Sequence, residues 1–228
     1  MSLDWERLGS EGIRFFGRLG VASARDMARI LDDIARQASL VAEQADLAER
    51  GVAPDPGRLS VLAARLEADV ERAGALLEGV RLAAATAEAP VGLINVPEVA
   101  ERMVRLFRPR AERERIGLVL KGGGQPAYAA SNAFFLQNYL HLAVEQALDG
   151  VLEGQGQGPV EVIVRREEDG ASVEVVAPGR AMRDPGLREK LALLAHSLEA
   201  EMTLDGHRLL LKLPNRGRLI ETLRRERD

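Results

Sequence analysis

The chain has 228 residues, 46% of them hydrophobic and 29% charged, which suffices for one large or two small domains with buried cores. Its 35 acidic and 31 basic side chains leave a formal charge of −4, and the basic residues form no block, so no nucleic-acid footprint is suggested. With no cysteine there is no disulfide, thiol nucleophile or cysteine zinc site, and the three histidines (His141, His196, His207) lack metal-ligand spacing, so no metal or other cofactor is expected. No stretch has the length of apolar residues that a membrane span needs, and the expectation is a soluble, cytoplasmic protein. Arginine outnumbers lysine 28 to 3, a bias that fits a GC-rich bacterial genome and receives no functional weight.

Between Ser10 and Arg50 there is no proline, and Phe16, Leu19, Met27, Ile30, Ile34, Ala38, Val41 and Ala45 recur by threes and fours, the pattern of one helix face. Gly51 to Gly57 (GVAPDPG) stops that helix and reverses the chain. Leu59, Leu62, Leu66, Val70, Ala73, Leu77, Val80 and Ala84 then repeat with the same spacing. Two such helices make an antiparallel hairpin about 40 Å long at 1.5 Å per residue. A hairpin buries one seam by itself, and its far side needs a cover. Self-association into a dimeric four-helix bundle is the simplest one, and it is expected to bury Met27, Ile30, Ile34, Val41, Leu62, Leu66, Val70 and Leu77.

The helical period stops at Glu88 to Gly92 (EAPVG), which divides the chain into a hairpin domain, 1–88, and a second domain, 93–228. There, Asn95 and Pro97 open a helix running to about Arg115, with a kink or break expected at Pro109. Ile116 to Leu120 reads as a strand, followed by the flexible Gly122 to Gly124. Ser131 or Asn132 caps an apolar helix over Ala133 to Val151. Val160 to Arg166 and Ser172 to Val176 alternate as strands around Asp169-Gly170, a pair that hairpin turns favour. A helix over about Leu187 to Ala200, a last hairpin (Glu201 to Leu204, Arg208 to Leu213) turned at Asp205-Gly206, and a charged terminal helix over Asn215 to Arg227 complete the order. The fold class is α+β, with helices on one face of a sheet.

This order, with local sequences in register, resembles the catalytic core of bacterial sensor histidine kinases. Gly17 to Met27 (GRLGVASARDM) looks like the segment around the phosphoacceptor on the first dimerisation helix. Asn95 to Val99, Phe107 to Ala111 and Ile116 to Leu118 look like the lead-in helix and first strand of the ATP-binding domain; Leu136 to Asp149 looks like its asparagine-bearing helix, and Val173 to Val175 with Gly179 like the strand before its glycine loop. The resemblance implies a dimerising hairpin followed by a histidine-kinase ATPase-like α/β sandwich, and it spans nearly the whole chain.

Several positions depart from that family's pattern. The phosphoacceptor histidine falls on Arg25, whose guanidinium has no nucleophilic lone pair, while Asp26 keeps the acidic neighbour. The magnesium-holding asparagine falls on Gln146, three residues before Asp149; the adenine-binding aspartate falls on Ala177, and the glycine after Gly179 falls on Ala181. The segment between Gly179 and Leu187 is too short for a nucleotide lid and has no glycine-rich phosphate cradle. The resemblance therefore implies a module without catalysis. Its partner would be a response-regulator receiver domain or a sensor kinase, docked on an outward hairpin face carrying Arg25, Asp26, Arg29 and Asp33. The alternatives are a histidine phosphotransferase using His141 or His196, and a purely structural dimerisation protein.

Overall fold

The structure, a computed structural model, describes residues 5–87, 91–154, 158–178 and 185–214. Helices α1 (Trp5–Glu49) and α2 (Pro56–Ala85) lead into strand β1 (Gly92–Asn95), helix α3 (Val96–Glu114), strands β2 (Leu118–Lys121) and β3 (Tyr128–Ser131), and helix α4 (Ala133–Gly154). Strands β4 (Val160–Glu167) and β5 (Gly170–Val176), helix α5 (Pro185–Ser197), and strands β6 (Glu201–Asp205) and β7 (Arg208–Pro214) follow. The expected terminal helix, Gly179 and Ala181 lie outside the described residues. No helix among the described residues is long and apolar enough to cross a membrane.

The main sheet has the order β2-β4-β5-β7-β6; β2 and β4 run parallel and the other pairs antiparallel. Alternation fixes its register. Val162 sits opposite Val175, and Val173 opposite Leu211, so the inward side chains of β4, β5 and β7 form one buried apolar layer. Helices α3, α4 and α5 contribute Met103, Phe107, Leu140, Leu148, Leu191 and Leu194 to the same core. Asn132 is the cap of α4, its Oδ1 accepting from the backbone N–H groups of Phe134 at 2.9 Å and Phe135 at 3.2 Å.

Three expectations change. A second, two-stranded sheet of β1 and β3 is present that the sequence pattern does not announce. Asn95 stands at the N-cap of α3 without a side-chain capping bond; its amide donates instead to Glu98 at 2.7 Å. Of the kink or break expected at Pro109, the break does not occur: Pro109 lies within α3, and Val104, Phe107 and Ala111 on both sides of it are buried in the core.

The chain forms two compact units, one of Arg18–Arg81 and one that joins Met1–Gly17 to Leu82–Asp228. This differs from the expected division into 1–88 and 93–228. The opening turns of α1 belong with the sheet layer because Leu8 is part of its core and Phe15 packs edge-on against Phe134 of α4, ring centroids 5.5 Å apart.

In the hairpin unit the buried seam of α2 is also displaced from expectation. Leu62, Asp69 and Leu76 are buried at a strict spacing of seven, whereas Val70 and Leu77 are 60% and 61% exposed. Ile30 and Leu62, expected in the core of a four-helix bundle, are buried within the single chain. Asp69, 1% exposed, accepts from Nε2 of Gln37 at 2.8 Å and from the guanidinium of Arg72, which joins α1 to α2 through a polar layer.

Two glycines separate a needed conformation from an incidental one. Gly122 follows β2 at φ +81°, and a Cβ there would stand 1.9 Å from the carbonyl oxygen of Val164. Gly74 lies mid-helix in α2, with nothing within 4 Å of such a Cβ. Gly122→Ala should therefore cost about 2 kcal/mol or more, while Gly74→Ala should add about 0.5–1 kcal/mol. Urea unfolding of the two variants should shift the midpoint in opposite directions.

Candidate functional site

Two groups of residues carry the sequence-based expectations, one in each compact unit. On the hairpin, Arg25 and Arg29 of α1 are exposed and Asp33 is half-buried. Asp26 departs from the expected outward face: it is buried, with Nη1 of Arg29 3.4 Å from its Oδ1. The physical reason is phase, since Asp26 lies seven residues after Leu19 and four before Ile30, both buried. Asp33 in turn accepts from Arg36 at 2.9 Å. The two acids are thus turned inward or neutralised, and Arg25 has no ion-pair partner among the described residues. Of the expected mixed-charge patch, Arg25, Arg29 and Asp32 are exposed.

In the sheet unit, the positions compared with a nucleotide site sit on α4 and just beyond β5. Gln146 is half-buried on α4. Asp149, one turn further, accepts from Nη2 of Arg110 at 2.5 Å, while Nε of Arg110 donates to Glu114 at 3.0 Å. Burial of Arg110 works against its charge, but the hydrogen bonds to Glu114 and Asp149 and the charges of both outweigh it and hold its pKa above the ordinary value. Asp149 is therefore one end of a bridge between α3 and α4. Ala177 follows β5, is 1% exposed, and donates its backbone N–H to the carbonyl of His207 at 3.0 Å. At the positions that the resemblance assigns to a nucleotide, residue 177 thus presents a methyl group, and the Asp149 carboxylate is paired with Arg110.

The histidine best placed by sequence for an alternative chemistry is enclosed. His141 is 3% exposed, with the rings of Phe15 and Phe107 at 5.4 Å and 4.9 Å and a Glu145 oxygen 3.9 Å from its Nδ1. His196 is exposed on α5. The residues that sequence reasoning missed are Gln37, Asp69 and Arg72, whose signal was a single aspartate at a multiple of seven from Leu62 and Leu76.

Tyr139 of α4 illustrates how tightly this helix is covered. Its hydroxyl is buried without a hydrogen-bond partner, and burial pushes its pKa well above the ordinary value of 10.0. A raised pKa in the folded state means that the folded phenol stays neutral while the unfolded one ionises, so this contribution to stability is complete below pH 10 and is lost as pH rises above it. The wild-type chain should lose stability above pH 10, and Tyr139→Phe should reduce that loss while changing stability at pH 7 by less than about 1 kcal/mol. Urea midpoints at pH 7 and above pH 10 measure both. A double-mutant cycle on Arg110→Ala and Asp149→Ala should give a coupling of about 0.5–1 kcal/mol, the range of a partly exposed ion pair.

No protein-family profile matches the chain, and no curated protein does. Solved structures to which it is similar include the histidine kinase AdeS of Acinetobacter baumannii, at 11% identity and a TM-score of 0.41, over 79% of this chain and 96% of that one. Others are the catalytic domain of the histidine kinase ThkA, at 13% identity and a TM-score of 0.46 over 55% of this chain and 98% of that one, and the ATP-binding domain of PrrB from Mycobacterium tuberculosis, at 17% identity and a TM-score of 0.42 over 56% and 98%.

Proposed function

We propose that this chain is a non-catalytic two-component signalling module, a homodimer formed through its helical hairpin that docks a response-regulator receiver domain or a sensor kinase. The observation that carries the reading is Arg25, exposed and without an ion pair among the described residues, at the position where the resemblance to sensor histidine kinases implies a reactive imidazole. A guanidinium keeps its proton at physiological pH and cannot attack phosphorus. It is instead well shaped to receive a carboxylate or phosphoryl group, so Arg25 and Arg29 suit an acidic surface such as a receiver pocket.

Dimerisation draws on the phase of the hairpin. Burying Asp69 while Val70 and Leu77 stay in water is unfavourable for an isolated hairpin. Covering Val70 and Leu77 with a second copy reverses that balance. The absence of catalysis draws on the buried methyl of Ala177 and on the engagement of Asp149 by Arg110. Phosphotransfer through His141 is disfavoured by the two aromatic rings that enclose it.

Light scattering at micromolar concentration should give twice the 24.8 kDa chain mass; a monomer would overturn the dimer. Leu77→Asp, at a position exposed in the single chain, should shift the protein to monomer without unfolding it. Exchanging Arg25 for glutamate should weaken capture of a receiver protein from an extract of the source cell and leave the melting temperature unchanged, since an exposed charge without an ion pair contributes little to stability. Calorimetry with magnesium and ATP should show no binding in the low micromolar range.

A further inference from the structure

Helix α1 runs without a break from Trp5 to Glu49, yet it belongs to both compact units: its turns up to Gly17 are part of the sheet unit, and from Arg18 it is part of the hairpin unit. Glycines stand at 9, 12, 17 and 20, and none follows before the helix ends. Gly12 has a packing reason, since a Cβ there would lie 3.2 Å from the ring of Phe134 on α4. Gly17 and Gly20 have none: both are exposed, and nothing lies within 4 Å of the Cβ that either lacks. Each weakens the helix relative to alanine, and glycine is a residue at which helices bend or part. These two lie on either side of the step from one unit to the other.

The docking of residues 5–17 on α4 combines gain with cost. Leu8 and Phe15 are fully buried, and the Phe15 ring centroid lies 5.5 Å from that of Phe134 and 5.4 Å from that of His141. Against this, Oε2 of Glu11 and Oδ1 of Asn138 are sealed without a hydrogen bond, and the bond that the Asn138 amide donates to the carbonyl of Glu11 is long, at 3.4 Å. Buried acceptors without donors favour any state that returns them to water. Once undocked, so short a segment does not hold a helix in water, so release and melting are one event.

We infer that residues 5–17 form a releasable strap: they dock on α4 as helix or leave it as a unit, Gly17 to Gly20 is the hinge, and release uncovers the side of α4 that carries Phe134, Asn138 and His141. The inference is independent of the signalling role. Hydrogen exchange of the full chain, read residue by residue, tests it. The amides of Gly12 to Gly17 should share one protection factor, about tenfold or more below that of Leu140 to Val144 in α4, whereas simple fraying gives a gradient inward from Trp5. Gly17→Ala combined with Gly20→Ala should slow exchange of this group about tenfold, the effect of replacing two helical glycines. Gly74→Ala, which strengthens α2 instead, should leave it unchanged. A gradient of protection, protection equal to that of α4, no slowing in the double variant, or equal slowing by Gly74→Ala would overturn the inference.

Discussion

A carboxylate sealed between two helices needs donors, and in this chain that requirement sets the rotation of the hairpin. Asp69 takes one hydrogen bond from Gln37 across the seam and one from Arg72 on its own helix. With Asp69 inside, Leu62 and Leu76 follow it inward at steps of seven, and Val70 and Leu77 are turned out. On α1 the same seam takes in Asp26 and Ile30 and leaves Arg25 and Arg29 in solvent. The rotation that buries one aspartate thus determines which apolar stripe and which guanidinium groups the hairpin offers to other molecules. A buried polar group is a poor source of stability but an effective way to fix register, because the alternative phases leave it without partners.

Element order was legible in the sequence where a local rule had a single solution. The Asp169-Gly170 and Asp205-Gly206 turns, the GVAPDPG reversal and the Asn132 cap each require specific side chains at specific places, and the structure has them there. The phase of α2 was not legible for the opposite reason. Its apolar side chains lie all round the helix, with Val61, Leu62, Leu66, Val70, Leu76, Leu77 and Val80 leaving no clear polar side, so periodicity alone admits more than one seam. Strands β1 and β3 escaped notice because each has four residues and β3 is half alanine, which gives neither alternation nor strand propensity a signal.

The candidate positions divide in the same way. Residue identity established at once that position 25 lacks an imidazole and position 177 a carboxylate. Whether the remaining polar groups were available could be learned only from partners distant in the chain, as when Arg110 claims Asp149.

The burial of the first turns of α1 in a layer built from later residues bears on how the protein is made. Leu8 and Phe15 are made well before the helix that receives Phe15: Glu11 and its contact Asn138 are 127 residues apart. At about 5–20 residues per second, that interval is roughly 6 to 25 s of synthesis. Throughout it the hairpin of residues 18–81 can close on its own contacts, which are local and quick to form. The segment before it waits with its apolar side chains uncovered until α4 has been made.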